Sequence, residues 1–482
     1  MAKTILPHSM KGYRIHLVGI KGTGMAALAE ILLSRGAEIT GSDTAEKFYT
    51  DRILQELGIP YKESFSKNTI VRGISLVIHS AAYSPSDNVE LEASLSAGIP
   101  IMSFPEALGD LSAQYDSSGI SGIHGKTTTT AMAGILLKNL DLPATILVGS
   151  EVADFGGRSS LVQGDHYFVA ETCEYRRHFL HFFPRRLVIT NIEPDHLDYY
   201  HDQEDIISAF TSYGLNLSPE GVLIYCADNE GALEAVKRIS RKRNDLNYIP
   251  YGLSADGPYR LVEIKTAAGK TSFRLAGINR NITMHIPGEH SALNGAAAIA
   301  LVVEILKSER KEVIPSDWDK IAQALLGFTG SRRRSEVVGE ARGVLFMDDY
   351  GHHPTEITKT LAGIKAFYPE RRLVVDFMSH TYSRTKGLLA DFARSFGAAD
   401  EVILHQIYAS AREVKPAGIS GEKLFQEVAK HHTRAKYFHR VLDALPYLTA
   451  SLKEGDLLVT MGAGNNWVLG KRLYENFRGE IE

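Results

Sequence analysis

Gly122-Ile123-His124-Gly125-Lys126-Thr127-Thr128-Thr129-Thr130 is the stretch on which the reading turns. A short strand, Ser117–Ser121, precedes it and a helical segment, Thr127–Asn139, follows it. A glycine turn between strand and helix leaves amides exposed that can wrap the β- and γ-phosphates of a nucleotide. Lys126 can neutralise those phosphates, and the Thr127 hydroxyl can bind Mg²⁺. The stretch departs from the eight-residue phosphate loop. Ile120 stands at the first glycine position, and the preceding strand is unusually polar.

Outward from this loop, β-branched runs alternate with longer helical segments. Ile15–Val18, Leu76–Ser80, Val188–Asn191, Gly221–Tyr225, Leu345–Asp348, Leu373–Phe377, Glu401–Leu404 and Leu457–Met461 read as buried strands. Met25–Arg35, Ala292–Lys307, Pro354–Phe367 and Thr385–Phe396 read as helices. This alternation predicts an α/β protein with parallel sheets. The 482 residues allow about three domains at ~150 residues each. Polar links at Gln114–Ser118 and Gly327–Ser335 predict segments 1–116, 117–327 and 328–482, with hinges near Ser117 and Phe328.

An enzyme that moves phosphate needs metal ligands. Strand Tyr167–Ala170 ends at Glu171-Thr172-Cys173-Glu174, and Val188–Asn191 leads into Ile192-Glu193-Pro194-Asp195-His196-Leu197-Asp198. Sites in α/β proteins form at such strand ends. Glu171 suits Mg²⁺, and His196 suits a more tolerant Mg²⁺/Mn²⁺ position. Glu174 and Asp198 are expected to face solvent. A second glycine loop, Gly19-Ile20-Lys21-Gly22-Thr23-Gly24-Met25, follows strand Ile15–Val18 and opens a helix. Its G-x-x-G-x-G spacing is not the dinucleotide fingerprint, but its amides can receive a pyrophosphate. Asp43, after strand Glu38–Thr40, could meet a ribose. Ser80 could line the same cleft, or be a plain small-residue turn.

Composition narrows the classes. The 53 Lys and Arg against 57 Asp and Glu leave a net charge of −4, which argues against a general polyanion binder and a nucleic-acid partner. The two cysteines, Cys173 and Cys226, cannot form a disulfide framework or a cysteine-rich zinc site. They fit a reducing, cytoplasmic compartment. Cys173, beside Glu171, is the cysteine to test for oxidative inhibition. The longest nearly apolar stretch, Ala296–Ile305, is shorter than a spanning helix needs, so no membrane role is expected.

Taken with Asp348-Asp349-Tyr350-Gly351-His352-His353-Pro354-Thr355-Glu356 and Gly462-Ala463-Gly464, these motifs resemble the Mur ligase family, in its order and over nearly the whole chain. The resemblance implies three domains: a Rossmann-like UDP-sugar domain, a central P-loop ATPase-like domain and a Rossmann-like C-terminal domain. It implies ATP-dependent joining of L-alanine to UDP-N-acetylmuramate through an acyl phosphate, with two Mg²⁺ ions, Mn²⁺ possible in their place. Gly19, Gly22, Thr23, Gly24, Met25, Asp43 and Ser80 are then the UDP-sugar residues. Gly122, Ile123, His124, Gly125, Lys126, Thr127 and Thr128 hold ATP, with His290 and Asn294 near the adenine and Arg333 and Arg334 near the phosphates. Lys126, Glu171 and His196 are the catalytic set, and Thr127, Glu171 and His196 the metal ligands. Asp349, Tyr350, His380 and Arg384 face the amino acid, Arg384 as the contact for its carboxylate or as a closing contact. Tandem His352 and His353 read as a turn before the helix at Pro354 rather than as a metal site.

The chain departs from the family pattern in places. Phe377-Met378-Ser379-His380 lacks the usual Gln-Pro, Thr381 replaces a second arginine, and Gly464-Asn465-Asn466 lacks the usual aspartate. Glu171-Thr172-Cys173-Glu174-Tyr175-Arg176-Arg177 replaces a more acidic run. Phe210–Pro219 contains no lysine, so no carbamylated lysine is predicted. The alternatives are a recycling ligase that joins a murein tripeptide to the same sugar nucleotide, an NAD-dependent oxidoreductase built on the first glycine loop, and a non-catalytic nucleotide-binding regulator.

Overall fold

The computed structural model describes residues 5–197, 199–278, 280–310, 312–409 and 418–479, so Asp198 lies outside them. Strands β1 (Arg14–Val18), β2 (Glu38–Ser42), β3 (Tyr61–Lys62), β4 (Leu76–His79) and β5 (Ile101–Ser103) form a parallel sheet ordered 3-2-1-4-5. Strands β6 (Asp116–Ser121), β7 (Ala144–Val152), β8 (Arg158–Val162), β9 (Tyr167–Glu171), β10 (Arg186–Ile189), β11 (Val222–Cys226) and β12 (Asn247–Tyr251) form a second sheet ordered 12-11-10-6-9-7-8. Only its β7–β8 pair is antiparallel. Strands β13 (Leu261–Ala267), β14 (Lys270–Leu275) and β15 (Asn281–Met284) make a small antiparallel sheet.

The fourth sheet holds β16 (Glu336–Ala341), β17 (Val344–Asp349), β18 (Arg372–Phe377), β19 (Glu401–Leu404), β20 (Ala435–Tyr437) and β21 (Asp456–Met461), ordered 16-17-21-18-19-20. Only β16 runs antiparallel to its neighbour. By contacts the chain separates into two compact units. One is Met1–Ile192 with Ile207–Asp256 and Ala297–Ala324; the other is Glu193–Ile206 with Gly257–Ala296 and Leu325–Glu482. Residues 193–206 and 257–296, expected in the central segment, thus group with the C-terminal one.

The buried parallel strands are the ones that read clearly in the sequence, for a physical reason. In β18 and β21, Leu373, Val375, Phe377, Leu457, Val459 and Met461 enter one core, while Val374 and Leu458 enter the core on the opposite face. A strand covered on both faces must be apolar at nearly every position. By contrast β13, with Leu261 buried and Val262 and Glu263 exposed, carries no such run. Two expectations are corrected. The helix expected at Thr385–Phe396 is two helices, Tyr382–Gly387 and Leu389–Arg394, because Leu388 leaves helical geometry at φ −115° and ψ 25°. The helix expected at Ala292–Lys307 extends over Glu289–Arg310. It is long and apolar enough to cross a membrane, but 78% of its apolar window is buried within the protein, as in a core helix.

Next to one departure from the family pattern, at Gly464-Asn465-Asn466, lies a buried polar contact. Asn466 is fully buried, and its Nδ2 donates toward Asp376 O at 3.0 Å, Asp376 Oδ1 at 2.9 Å and Met461 O at 3.1 Å. Only an amide can donate there. Asp376 in turn meets His405 Nε2 at 2.7 Å, with both side chains buried. Asn466→Asp would set two buried carboxylates against each other, and it is expected to lower stability by about 3 kcal/mol in urea unfolding.

Candidate active site

The phosphate loop follows β6, at the edge where register brings strand ends together. Ser121 pairs with Ile189 of β10, and Ile120 pairs with Glu171 of β9. The loop is fastened to the segment after β10. Asn191 Oδ1 accepts the His124 amide at 2.9 Å, and Thr190 Oγ1 donates to His124 O at 2.6 Å. Asn191 O accepts the Ile123 amide at 3.1 Å. The helix Lys126–Asn139 starts at once, so its first amides, including those of Lys126, Thr127 and Thr128, have no intrahelical acceptor and are free to meet an anion.

Lys126 Nζ lies 2.5 Å from Gly122 O, 3.2 Å from Ile123 O and 2.9 Å from Glu174 Oε2. Glu174 is therefore not the solvent-facing residue expected: it is 2% exposed and is the ion-pair partner of the loop lysine. Burial lowers the Lys126 ammonium, but Glu174, Cys173 and Glu171 overcome this and raise it, so it stays charged. Glu171, at the end of β9, accepts from Thr127 Oγ1 at 3.1 Å and from the Gly149 amide at 2.7 Å. A threonine hydroxyl beside a carboxylate is a hard oxygen pair, and it fits Mg²⁺.

Cys173 is exposed between these carboxylates. Desolvation, then the charge of Glu174, pushes its thiol up to about 12. A thiol held in that range is a weak nucleophile, and alkylation tests this directly. At pH 8 its alkylation is expected to run about 10²-fold slower in the folded protein than in denaturant. Equal rates in peptide-resolved labelling would refute the assignment.

The first glycine loop leads into helix Thr23–Ser34. Phe104 approaches Gly24 so closely that an added Cβ would lie 2.8 Å from its ring. Ser80 backs the loop, 2.8 Å from where a Gly19 Cβ would stand. Gly22 precedes the helix, and Thr23 Oγ1 accepts from Tyr49 at 3.2 Å. The Met25 side chain is buried in the core, which leaves its amide for a ligand. Lys21 does not face the loop's open side. It is buried and bonds Thr44 O, Glu46 O and Glu63. Asp43 accepts the Lys21 and Thr44 amides at 2.7 and 2.8 Å, so its carboxylate shapes the loop.

The remaining expected residues lie in the second unit. His290 opens the helix Glu289–Arg310, and its Nδ1 is buried with no partner among the described residues. Desolvation, then Lys359, holds its ring down to about 4, so it is neutral. Asn294 lies one turn on, also buried. Arg333 is held by Asp348 Oδ2 at 2.8 Å and Gly462 O at 2.7 Å, while Arg334 reaches Glu356 at 3.6 Å. Both guanidinium groups lie over the ring of Tyr350, at 5.1 and 5.4 Å.

Asp349, ending β17, accepts the Ser335 and Gly351 amides at 2.6 and 2.7 Å, and burial raises its carboxyl to about 6. His380 forms a bridge with Tyr408 after β18. His353 caps its helix, accepting the Thr355 amide through Nδ1, as expected of a turn residue. The guanidinium of Arg384 is taken by Asp195, Nε and Nη2 each 2.8 Å from Oδ1. His196 follows, at φ 52°. The sequence assigns no site role to Thr190, Asn191 or Asp195, and its reading places Glu174 in solvent, although a carboxylate three residues past Glu171 is the available signal.

Comparison with known proteins covers most of the chain. Residues 14–116 match the description "Mur ligase family, catalytic domain", residues 120–302 "Mur ligase middle domain" and residues 333–464 "Mur ligase, glutamate ligase domain". The chain is 50% identical over 481 residues to the UDP-N-acetylmuramate–L-alanine ligase of Treponema pallidum, covering 100% of both. It is 39% identical to that of Borreliella burgdorferi, covering 94% of this chain and 97% of the relative. The solved UDP-N-acetylmuramate-alanine ligase of Thermotoga maritima superposes with a TM-score of 0.78 at 25% identity, covering 97% of this chain and 100% of that one.

Proposed function

The chain belongs to the Mur ligase family, and from that premise we propose that it joins L-alanine to UDP-N-acetylmuramate, with ATP converted to ADP and phosphate. The observation that carries this is the loop lysine held between its own carbonyls and Glu174, beside Thr127 and Glu171. Similarity to alanine-adding ligases along the whole chain supports this reading over tripeptide recycling, and the second phosphate loop speaks against an oxidoreductase. A cytoplasmic location belongs to the same proposal, as do domain limits near 116 and 327.

A carboxylate is a poor electrophile. Transfer of the γ-phosphoryl group of ATP to a muramoyl carboxylate oxygen gives an acyl phosphate and ADP. The neutral amine of alanine then adds to the acyl carbon, and the tetrahedral intermediate expels phosphate and loses a proton to give the amide. Amides from Gly125 to Thr128 wrap the phosphates, and Lys126 offsets the charge that gathers between γ-phosphate and carboxylate. Glu174 holds Lys126 in place while phosphate oxygens replace the carbonyls of Gly122 and Ile123. Mg²⁺ on Thr127 and Glu171 supplies further charge neutralisation when bound. A second ion, Mg²⁺ or Mn²⁺, falls to His196. By the same reading, UDP is assigned to the first glycine loop with Ser80, the adenine to His290 and Asn294, a phosphate contact to Arg334, and the amino acid to Asp349, Tyr350 and His380. The test is isotopic: ¹⁸O in the muramoyl carboxylate should appear in inorganic phosphate, and label retained only in the sugar product would refute an acyl phosphate.

A further inference from the structure

Residues Pro194, Asp195 and Leu197 are fastened, one after another, by residues far along the chain. His353 accepts the Thr355 amide at Nδ1, so its Nε2 carries the proton and donates to Pro194 O at 3.2 Å. Arg384 donates twice to Asp195 Oδ1. Leu197 Cδ1 packs 3.1 Å from where a Gly387 Cβ would stand. Between them is His196, whose amide donates to the same Asp195 Oδ1 at 2.7 Å.

His196 adopts φ 52°, left-handed backbone that a non-glycine residue holds only when its surroundings over-determine it. The other end of the ion pair is strained in the same way. Thr381, a β-branched residue, sits at φ 67° and ψ 136° just before helix Tyr382–Gly387, and Arg384 Nη1 reaches back to His380 O at 3.3 Å. Asp195 is 3% and Arg384 7% exposed. One carboxylate oxygen thus gathers three N–H donors and ties two strained turns together. A guanidinium with Nε and Nη2 committed to a buried carboxylate is poorly placed to serve as the carboxylate receptor for an amino acid.

We propose that Arg384 is a positioning residue, which acts through Asp195 to hold His196 in its left-handed conformation and so presents the imidazole as a metal ligand. The proposal rests on the ligase reading for the metal, but its first test does not need catalysis. In the metal-free protein, hydrogen exchange of a peptide covering 193–200 is expected to rise about tenfold in both Asp195→Asn and Arg384→Gln, with little change outside 193–200 and 380–390. In turnover, each variant is expected to need about tenfold more Mg²⁺ for half-activity, while KM for L-alanine stays within about twofold. Combining the two substitutions should add little to either one alone.

Unchanged exchange at 193–200 in both variants would overturn the proposal, as would a rise spread evenly over the chain. A large increase in KM for L-alanine in Arg384→Gln, with the Mg²⁺ requirement unchanged, would assign Arg384 to the amino acid instead. Absence of turnover in the wild type would strike the ligase reading, and the exchange result would still decide whether the latch exists.

Discussion

Lys126→Ala is expected to lower kcat for ADP formation by about 10³-fold, since one preorganised charge at the transferring phosphoryl group is removed. The same substitution removes the ion-pair partner of Glu174, which is 2% exposed. A drop in melting temperature would therefore accompany the loss, and folding could be mistaken for chemistry. The double variant Lys126→Ala/Glu174→Gln separates the two. It should recover much of the melting temperature and none of the turnover. Recovery of turnover would show that the lysine only balances Glu174.

Gly122→Ala is expected to be nearly as damaging, by a different route. Gly122 sits at φ 141°, where L side chains are strained, and an added Cβ would lie 2.0 Å from Thr190 Oγ1 and 3.0 Å from the Asn191 amide nitrogen. Those two residues fasten His124 and hence the loop. The loop must either strain by about 2 kcal/mol or move away from them. A shift of about 1 Å at the phosphate site costs about 10²-fold in kcat/KM for ATP. Gly98→Ala is the control for backbone strain without a clash, because it has φ 71° and no atom within 4 Å of the added carbon. It should leave ATP kinetics unchanged. Equal kinetics in Gly122→Ala and the wild type would refute the account of the loop.

How much of this was legible in the sequence follows from how locally each feature is encoded. The phosphate loop is nine consecutive residues, so strand, turn, lysine and helix start could be read together. Buried parallel strands were legible because both faces are covered. The partner of Lys126 was not. Cys173 and Glu174 are carried by a turn in which Arg176 and Arg177 adopt left-handed φ of 52° and 60°, and no hydrophobic period announces such a turn. The clamp of Asn191 on His124 spans 67 positions, and the pairing of Arg384 with Asp195 spans 189. Nothing local marks either. The antiparallel strands β13–β15 alternate polar and apolar residues too weakly to stand out beside their neighbours. The partner of Asn466, the carboxylate of Asp376, appears only once β18 and β21 lie side by side.

The central claim is the choice of amine, and a competition assay tests it directly. The purified protein is given UDP-N-acetylmuramate and ATP with either L-alanine or L-Ala-γ-D-Glu-meso-diaminopimelate, and ADP release and product mass are followed together. L-alanine should give one ADP for each UDP-N-acetylmuramoyl-L-alanine formed, with the tripeptide inert. ADP release with the tripeptide alone would contradict the account.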